Sequence, residues 1–337
     1  MLPDTSIAAN TGSPRVSTPW PKSLAALSLA WLVLLVATRA EWLEMLHQWW
    51  NIDTYNHITL IPLIVAWLVW LKRRELAKVV PRGTWAGAVL LALALALWLT
   101  GRATQINLLA HASAVLALPA SLLAVLGVRV AALLLLPLGM MAFLVPFGDE
   151  IVPQLQLTTA EVAIALTQWS GVEASIDGVN IDTPAGLFIV AEACSGVKFL
   201  IAMIALAGLV CFTAFESWAK RALFLLAAII VPILANGVRA WGTIFIAQSR
   251  GVEFAAGFDH IVYGWIFFAI VIVLLIGGAW RFFERDPEDA GYDADDLDGQ
   301  PLVAAIDVFT LRTTLACVAI VALTIGAWLM DGAGVLG

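Results

Sequence analysis

Long apolar runs that carry almost no charge follow one another along this chain, and they leave few folds open. Nine of them lie at about 23–40, 57–71, 84–100, 106–127, 130–146, 195–215, 222–247, 261–280 and 311–330. A helix crosses the hydrocarbon of a bilayer with about 20 apolar residues, so most of the chain is expected in lipid. Charged residues make up 13% of the sequence, against roughly 25% in soluble domains, which excludes an ordinary soluble enzyme. The fold class expected is an all-α polytopic membrane protein. The first run is read as an anchor, since Arg39 stands where small residues would mark cleavage of a signal peptide. A net charge of −7 excludes a nucleic-acid partner, which requires a clustered basic surface.

Lys and Arg in short loops are retained in the cytoplasm and orient the spans. The densest cluster is Lys72, Arg73, Arg74, Lys78 and Arg82. Placing it inside puts 13 of the 18 basic residues inside and leaves Arg39, Arg102, Lys198, Arg239 and Arg250 at or near the outer surface. The N-terminus is then cytoplasmic and the C-terminus outward.

The domain organisation expected is a cytoplasmic tail (1–22), an eight-helix membrane core (23–280), an acidic cytoplasmic linker (281–302), and a ninth transmembrane helix with a short outer tail (303–337). Within the core, 147–193 lies outside the membrane. Its stretch from Ile151 to Trp169 is amphipathic and suits the interface, with leucines and valines in lipid. From Val172 to Val190, β-branched residues and turn signals at Asp177-Gly178 and Thr183-Pro184-Ala185-Gly186 predict a small hairpin whose edge suits an extended peptide. The linker carries eight acids against Arg281 and Arg285 and reads as solvated.

Ionisable residues at membrane depth are functional candidates by default. Cys194 begins the sixth run, Arg239 lies near the outer end of the seventh and His260 begins the eighth. These runs alternate direction, so all three residues fall on the outer face. A cysteine at a helix N-terminus is placed to form a thiolate, and Lys198, four residues on, shares its helix face. A lone cysteine in a membrane helix is otherwise a small apolar filler, which is the reading of Cys211 and Cys317. Arg239 is either an interfacial snorkelling arginine or a fixed cation for an oxyanion, and His260 either an interfacial ring or a general acid/base. Together they compose a thiol acyl-transfer set. The four histidines also map to the outer half, but no HxxxH or HExxH spacing supports a metal. Neither a metal nor another cofactor is expected.

At Glu192-Ala193-Cys194-Ser195-Gly196-Val197-Lys198-Phe199-Leu200, followed by PILANGVRA (Pro232 to Ala240) and HIVYGW (His260 to Trp265), the sequence resembles the exosortases, membrane-embedded sorting enzymes of Gram-negative bacteria. Val145-Pro146-Phe147-Gly148 and Tyr55-Asn56-His57 through Trp70 look like further landmarks, so the resemblance covers about 45–285. It implies an inner-membrane enzyme with its active site at the periplasmic face. Cys194 is then the nucleophile, Arg239 the oxyanion stabiliser and His260 the general acid/base. Glu192, Ser195, Lys198, Asn236, Asp259, Tyr263 and His57 are supporting candidates, and the group that orients His260 stays open between Glu192 and Asn236.

The implied partners are secreted proteins with a C-terminal signal: a short motif, often Pro-Glu-Pro, a transmembrane helix and a basic cluster. The acceptor is unassigned, and such enzymes often accompany exopolysaccharide production. Two departures stand out: Ile58 follows His57 where many members have glycine, and the acidic linker and ninth run lie beyond the common core. The alternative is a permease or structural subunit of an envelope-polymer system. Transporters place ionisable groups near the midplane, whereas these sit at one surface.

Overall fold

The structure is a computed structural model that describes residues 19–253 and 264–332. Helix α1 (Trp20–Ala37) leads through Thr38 into α2 (Arg39–Asn51), and the chain then turns by 109° through a 3₁₀ turn (Asn56–Leu60) into α3 (Ile61–Leu71). The basic cluster starts α4 (Arg73–Lys78), and a two-residue strand β1 (Gly83–Thr84) precedes the antiparallel pair α5 (Trp85–Thr104) and α6 (Asn107–Leu126). Two short helices, α7 (Val128–Leu133) and α8 (Leu135–Met140), lead across a 63° bend to α9 (Val152–Trp169). Three strands follow, β2 (Ser175–Asp177), β3 (Asn180–Thr183) and β4 (Gly186–Ile189), and then α10 (Val197–Ala214), α11 (Trp218–Arg250) and α12 (Gly264–Ala279). The chain ends with α13 (Pro301–Asp307), β5 (Thr310–Leu311) and α14 (Thr313–Gly332).

Seven of these helices are long and apolar enough to cross a membrane, and the number reaches nine only if each bent pair counts as one span. The two bends fall just before the run expected as a span at 57–71 and at the end of the one at 130–146. Hydropathy counts apolar residues and is blind to direction. The first break falls between Asn51 and Asn56 and the second between Leu144 and Asp149, where Pro146 cannot continue a helix. The two bends lie against each other: Trp49 Nε1 donates to the Leu144 carbonyl at 3.0 Å, and the Tyr55 hydroxyl donates to Asp149 at 2.7 Å.

Small residues set the closest helix contact. A Cβ on Gly87 would collide with the Ala124 backbone, and one on Gly101 would sit 2.6 Å from the Ala110 nitrogen. Glycine spaced along α5 therefore lets α6 approach backbone to backbone, the usual device where lipid tails offer no hydrophobic drive between helices.

Helix α9 buries Leu155, Ala160, Ala163 and Ile164 against protein. Ile151, Leu157 and Trp169 stay exposed. The predicted hairpin is a three-stranded antiparallel meander, because both turn signals are used: β2 pairs β3 across Asp177-Gly178, and β3 pairs β4 with Thr183 opposite Gly186.

The acidic segment keeps its acids exposed, and it is also anchored: it straps across the basic end of the bundle. Lys72, 4% exposed, bonds Asp293 and the Tyr292 carbonyl at 3.1 Å each. Arg129 grips Asp298 and Asp307, and Leu297 is fully buried. Glu284 accepts from the Glu216 and Ser217 amides and from Lys220. β5 pairs with β1, which fixes the start of α14 to the start of α5, and at the far ends Arg102 joins Asp331 of α14 to Glu41 of α2. The Ala214 end of α10 meets the strap through the Glu284 amide. Its Val197 end, about 27 Å away along an 18-residue helix, faces the opposite side of the bundle.

Candidate active site

Cys194 closes a 3₁₀ turn (Glu192–Cys194) that sits just before that far end of α10. Its amide donates to the Ala191 carbonyl at 2.8 Å, and the Ser195 amide to the Glu192 carbonyl at 3.0 Å. Gly196 caps α10 with φ of +83°, a conformation that favours glycine. Space demands glycine too, because a Cβ there would sit 2.7 Å from the Asn236 side chain.

Asn236, on α11, is buried beneath this turn. Its side-chain amide donates to the Cys194 carbonyl at 2.8 Å and to the Thr159 hydroxyl at 3.0 Å, and Thr159 donates on to the Ser195 carbonyl at 3.4 Å. Helices α9 and α11 thereby clamp the backbone on both sides of the thiol. Close packing makes this reach possible, since a Cβ on Gly237 would collide with Val162 of α9.

Arg239 follows Asn236 by three residues and so projects from a neighbouring face of α11. It is 7% exposed. Cys194 and Arg239 line one cavity of about 80 Å³, together with the polar Asn236 and Thr243 and an apolar wall of Ile181 and Phe188 from the sheet, Val190 just after it and Ile244 of α11. Gly264, the first residue of α12, abuts the guanidinium: a Cβ placed on it would be 3.7 Å from Arg239 Cζ. A guanidinium keeps its charge at any accessible pH, and its field is strong where water is scarce.

The structure thus joins Cys194, Asn236 and Arg239. Ser195 is buried, and its hydroxyl accepts from the Val197 amide at 3.4 Å. Lys198 is half-buried, with Nζ 5.2 Å from the Phe199 ring centroid, and Glu192 is exposed. His57 places Nδ1 3.0 Å from the Thr54 carbonyl and does not line the cavity. His260, Asp259 and Tyr263 lie outside the described residues. Cys211 is buried, with Sγ 3.4 Å from the Arg221 carbonyl, far along α10 from Cys194, and Cys317 lies on α14 beside the Ala26 carbonyl. Among the described residues no three His, Cys, Asp or Glu side chains are grouped to hold a metal ion. Thr159 escaped sequence reading because a threonine within a helical apolar stripe carries no signal of its own.

The family model described as transmembrane exosortase (Exosortase_EpsH) matches residues 49–277. The chain belongs to the transmembrane exosortase family. The match takes in Cys194, Asn236, Arg239 and His260, and it stops short of the strap and α14, which are this exosortase's additions to the matched region. No curated protein and no solved structure matches the chain.

Proposed function

We propose that this exosortase is a cysteine peptidase or transpeptidase that removes the C-terminal sorting signal of secreted proteins at the periplasmic face of the inner membrane. The observation that carries the reading is the shared cavity of Cys194 and Arg239. The Cys194 thiolate attacks the scissile carbonyl carbon, and Arg239 stabilises the oxyanion that forms. As the C–N bond breaks, His260 protonates the departing amine, leaving a thioester on Cys194. His260 then takes a proton from the incoming nucleophile: water completes hydrolysis, and an acceptor amine completes transfer. His260 lies four residues before Gly264, which supports its membership of this group. A substrate whose transmembrane helix is followed by basic residues keeps those residues in the cytoplasm, which leaves its cleavable motif outside.

The test is tag release from a C-terminally tagged candidate substrate co-expressed with wild type, Cys194→Ala or Cys194→Ser. Loss of release in both variants, with a hydroxylamine-sensitive adduct in the wild type, is the expected result. Unchanged release with Cys194→Ala sinks the thiol mechanism.

A further inference from the structure

Among the described residues strand β4 is an edge of its sheet. The Val190 amide donates to the Val179 carbonyl at 2.9 Å. Antiparallel pairing alternates, so Phe188 and Gly186 also direct their backbone groups to β3, while Leu187 and Ile189 direct theirs to the far side. No backbone hydrogen bond reaches the Leu187 amide, the Leu187 carbonyl or the Ile189 amide among the described residues; the Ile189 carbonyl is taken by the Ala191 amide. Proteins normally guard such an edge with charge, proline or a bulge. β4 reads Gly-Leu-Phe-Ile and has none of these, and Leu187 and Ile189 are 58% and 60% exposed. The opposite edge strand, β2, carries Asp177.

The same strand walls the cavity that holds Cys194 and Arg239, through Phe188 and Ile189, and ends five residues before the thiol. We infer that β4 binds the peptide segment carrying the scissile bond by strand addition, pairing it with Leu187 and Ile189 and delivering one small apolar side chain into the cavity. This rests on the reading of Cys194 as the nucleophile and extends it to how the substrate is held. Strand addition takes affinity from main-chain hydrogen bonds and specificity from pockets for alternate side chains. The volume of about 80 Å³ is room for one side chain, well below the roughly 300–1,000 Å³ of sites that enclose a whole small molecule.

The experiment uses the full chain in lipid nanodiscs. Its probes are acetyl-tetraalanyl chloromethyl ketone, analogues of it N-methylated at one amide at a time, and iodoacetamide, which has no strand to pair. N-methylation at alternate amides is expected to slow Cys194 alkylation by about fivefold or more, the effect of about one lost hydrogen bond, and at the intervening amides to leave it unchanged. Leu187→Pro removes one outward amide, at a position where an edge strand tolerates proline. It should slow the peptide reagent similarly and leave iodoacetamide unaffected. In Cys194→Ala, acetyl-tetraalanine amide should slow hydrogen exchange at Leu187 and Ile189. Equal rates for all N-methyl analogues at a Cys194 that does react, or no exchange protection, overturn the proposal. Protection at β4 together with a Cys194 inert to both reagents upholds it and sinks the thiol reading instead.

Discussion

The side-chain amide of Asn236 donates to the carbonyl of Cys194 at 2.8 Å, joining two residues that are 42 positions apart in sequence. The same NH₂ holds Thr159, so one buried amide fixes the backbone that aims the thiol. Asn236 therefore commits its NH₂ to the Cys194 turn and to the threonine that supports it. Asn236→Ala leaves the Cys194 carbonyl unpaired in a buried place, at a cost of about 1–3 kcal/mol. The expected result is a fall in substrate processing of roughly 5- to 150-fold, with cysteine alkylation retained. Processing at the wild-type rate would show that the clamp does not aim the thiol.

Gly196 shares the fate of Asn236. Gly196→Ala meets both a left-handed φ of +83° and a Cβ position 2.7 Å from the Asn236 side chain. Thermal unfolding should show a loss of about 1–3 kcal/mol from the backbone conformation plus that of the clash. Because the clash is with Asn236 itself, the double variant Gly196→Ala/Asn236→Ala should lose less than the sum of the single losses. Strict additivity would mean that the two side chains do not meet.

Arg239 is nearly enclosed, with Gly264 against its guanidinium. Lysine keeps the charge but loses the planar fork. Arg239→Lys is expected to reduce turnover by about 10²–10³-fold, the scale of losing one oxyanion donor, while Cys194 still reacts with iodoacetamide. A variant that turns over normally would remove Arg239 from the chemistry.

The meeting of Cys194 and Arg239 was legible in the sequence because apolar runs of countable length fix which helix ends share a face. Cys194 precedes one helix and Arg239 lies near the far end of the next, antiparallel one. What composition could not show was direction and distant pairing. The bends after α2 and α8 are invisible to hydropathy, although Tyr55 and Asp149 join them. Thr159 is a single hydroxyl in an apolar stripe. That the acidic segment is a docked strap does not show until Lys72, 221 residues from Asp293, is placed beneath it.

That strap should release in acid, and the direction follows from Glu284. Its hydrogen bonds with Lys220 and with the Ser217 and Glu216 amides pull its pKa down to about 2. An undocked glutamate titrates near about 4.3. Glu284 thus contributes to docking fully above that value and loses its contribution as pH falls through about 2. Glu75, lowered by Lys78 and by the Ala294 amide, acts in the same sense. Protection factors of the amides in 284–298, with the intrinsic pH dependence of exchange divided out, should be high at pH 6 and fall as pH drops from about 4.5 toward about 2. Glu284→Gln should show faster exchange already at neutral pH and a smaller acid response. Protection that stays constant down to about pH 2 would mean that the buried Leu297 and the Lys72 and Arg129 contacts hold the strap without its glutamates.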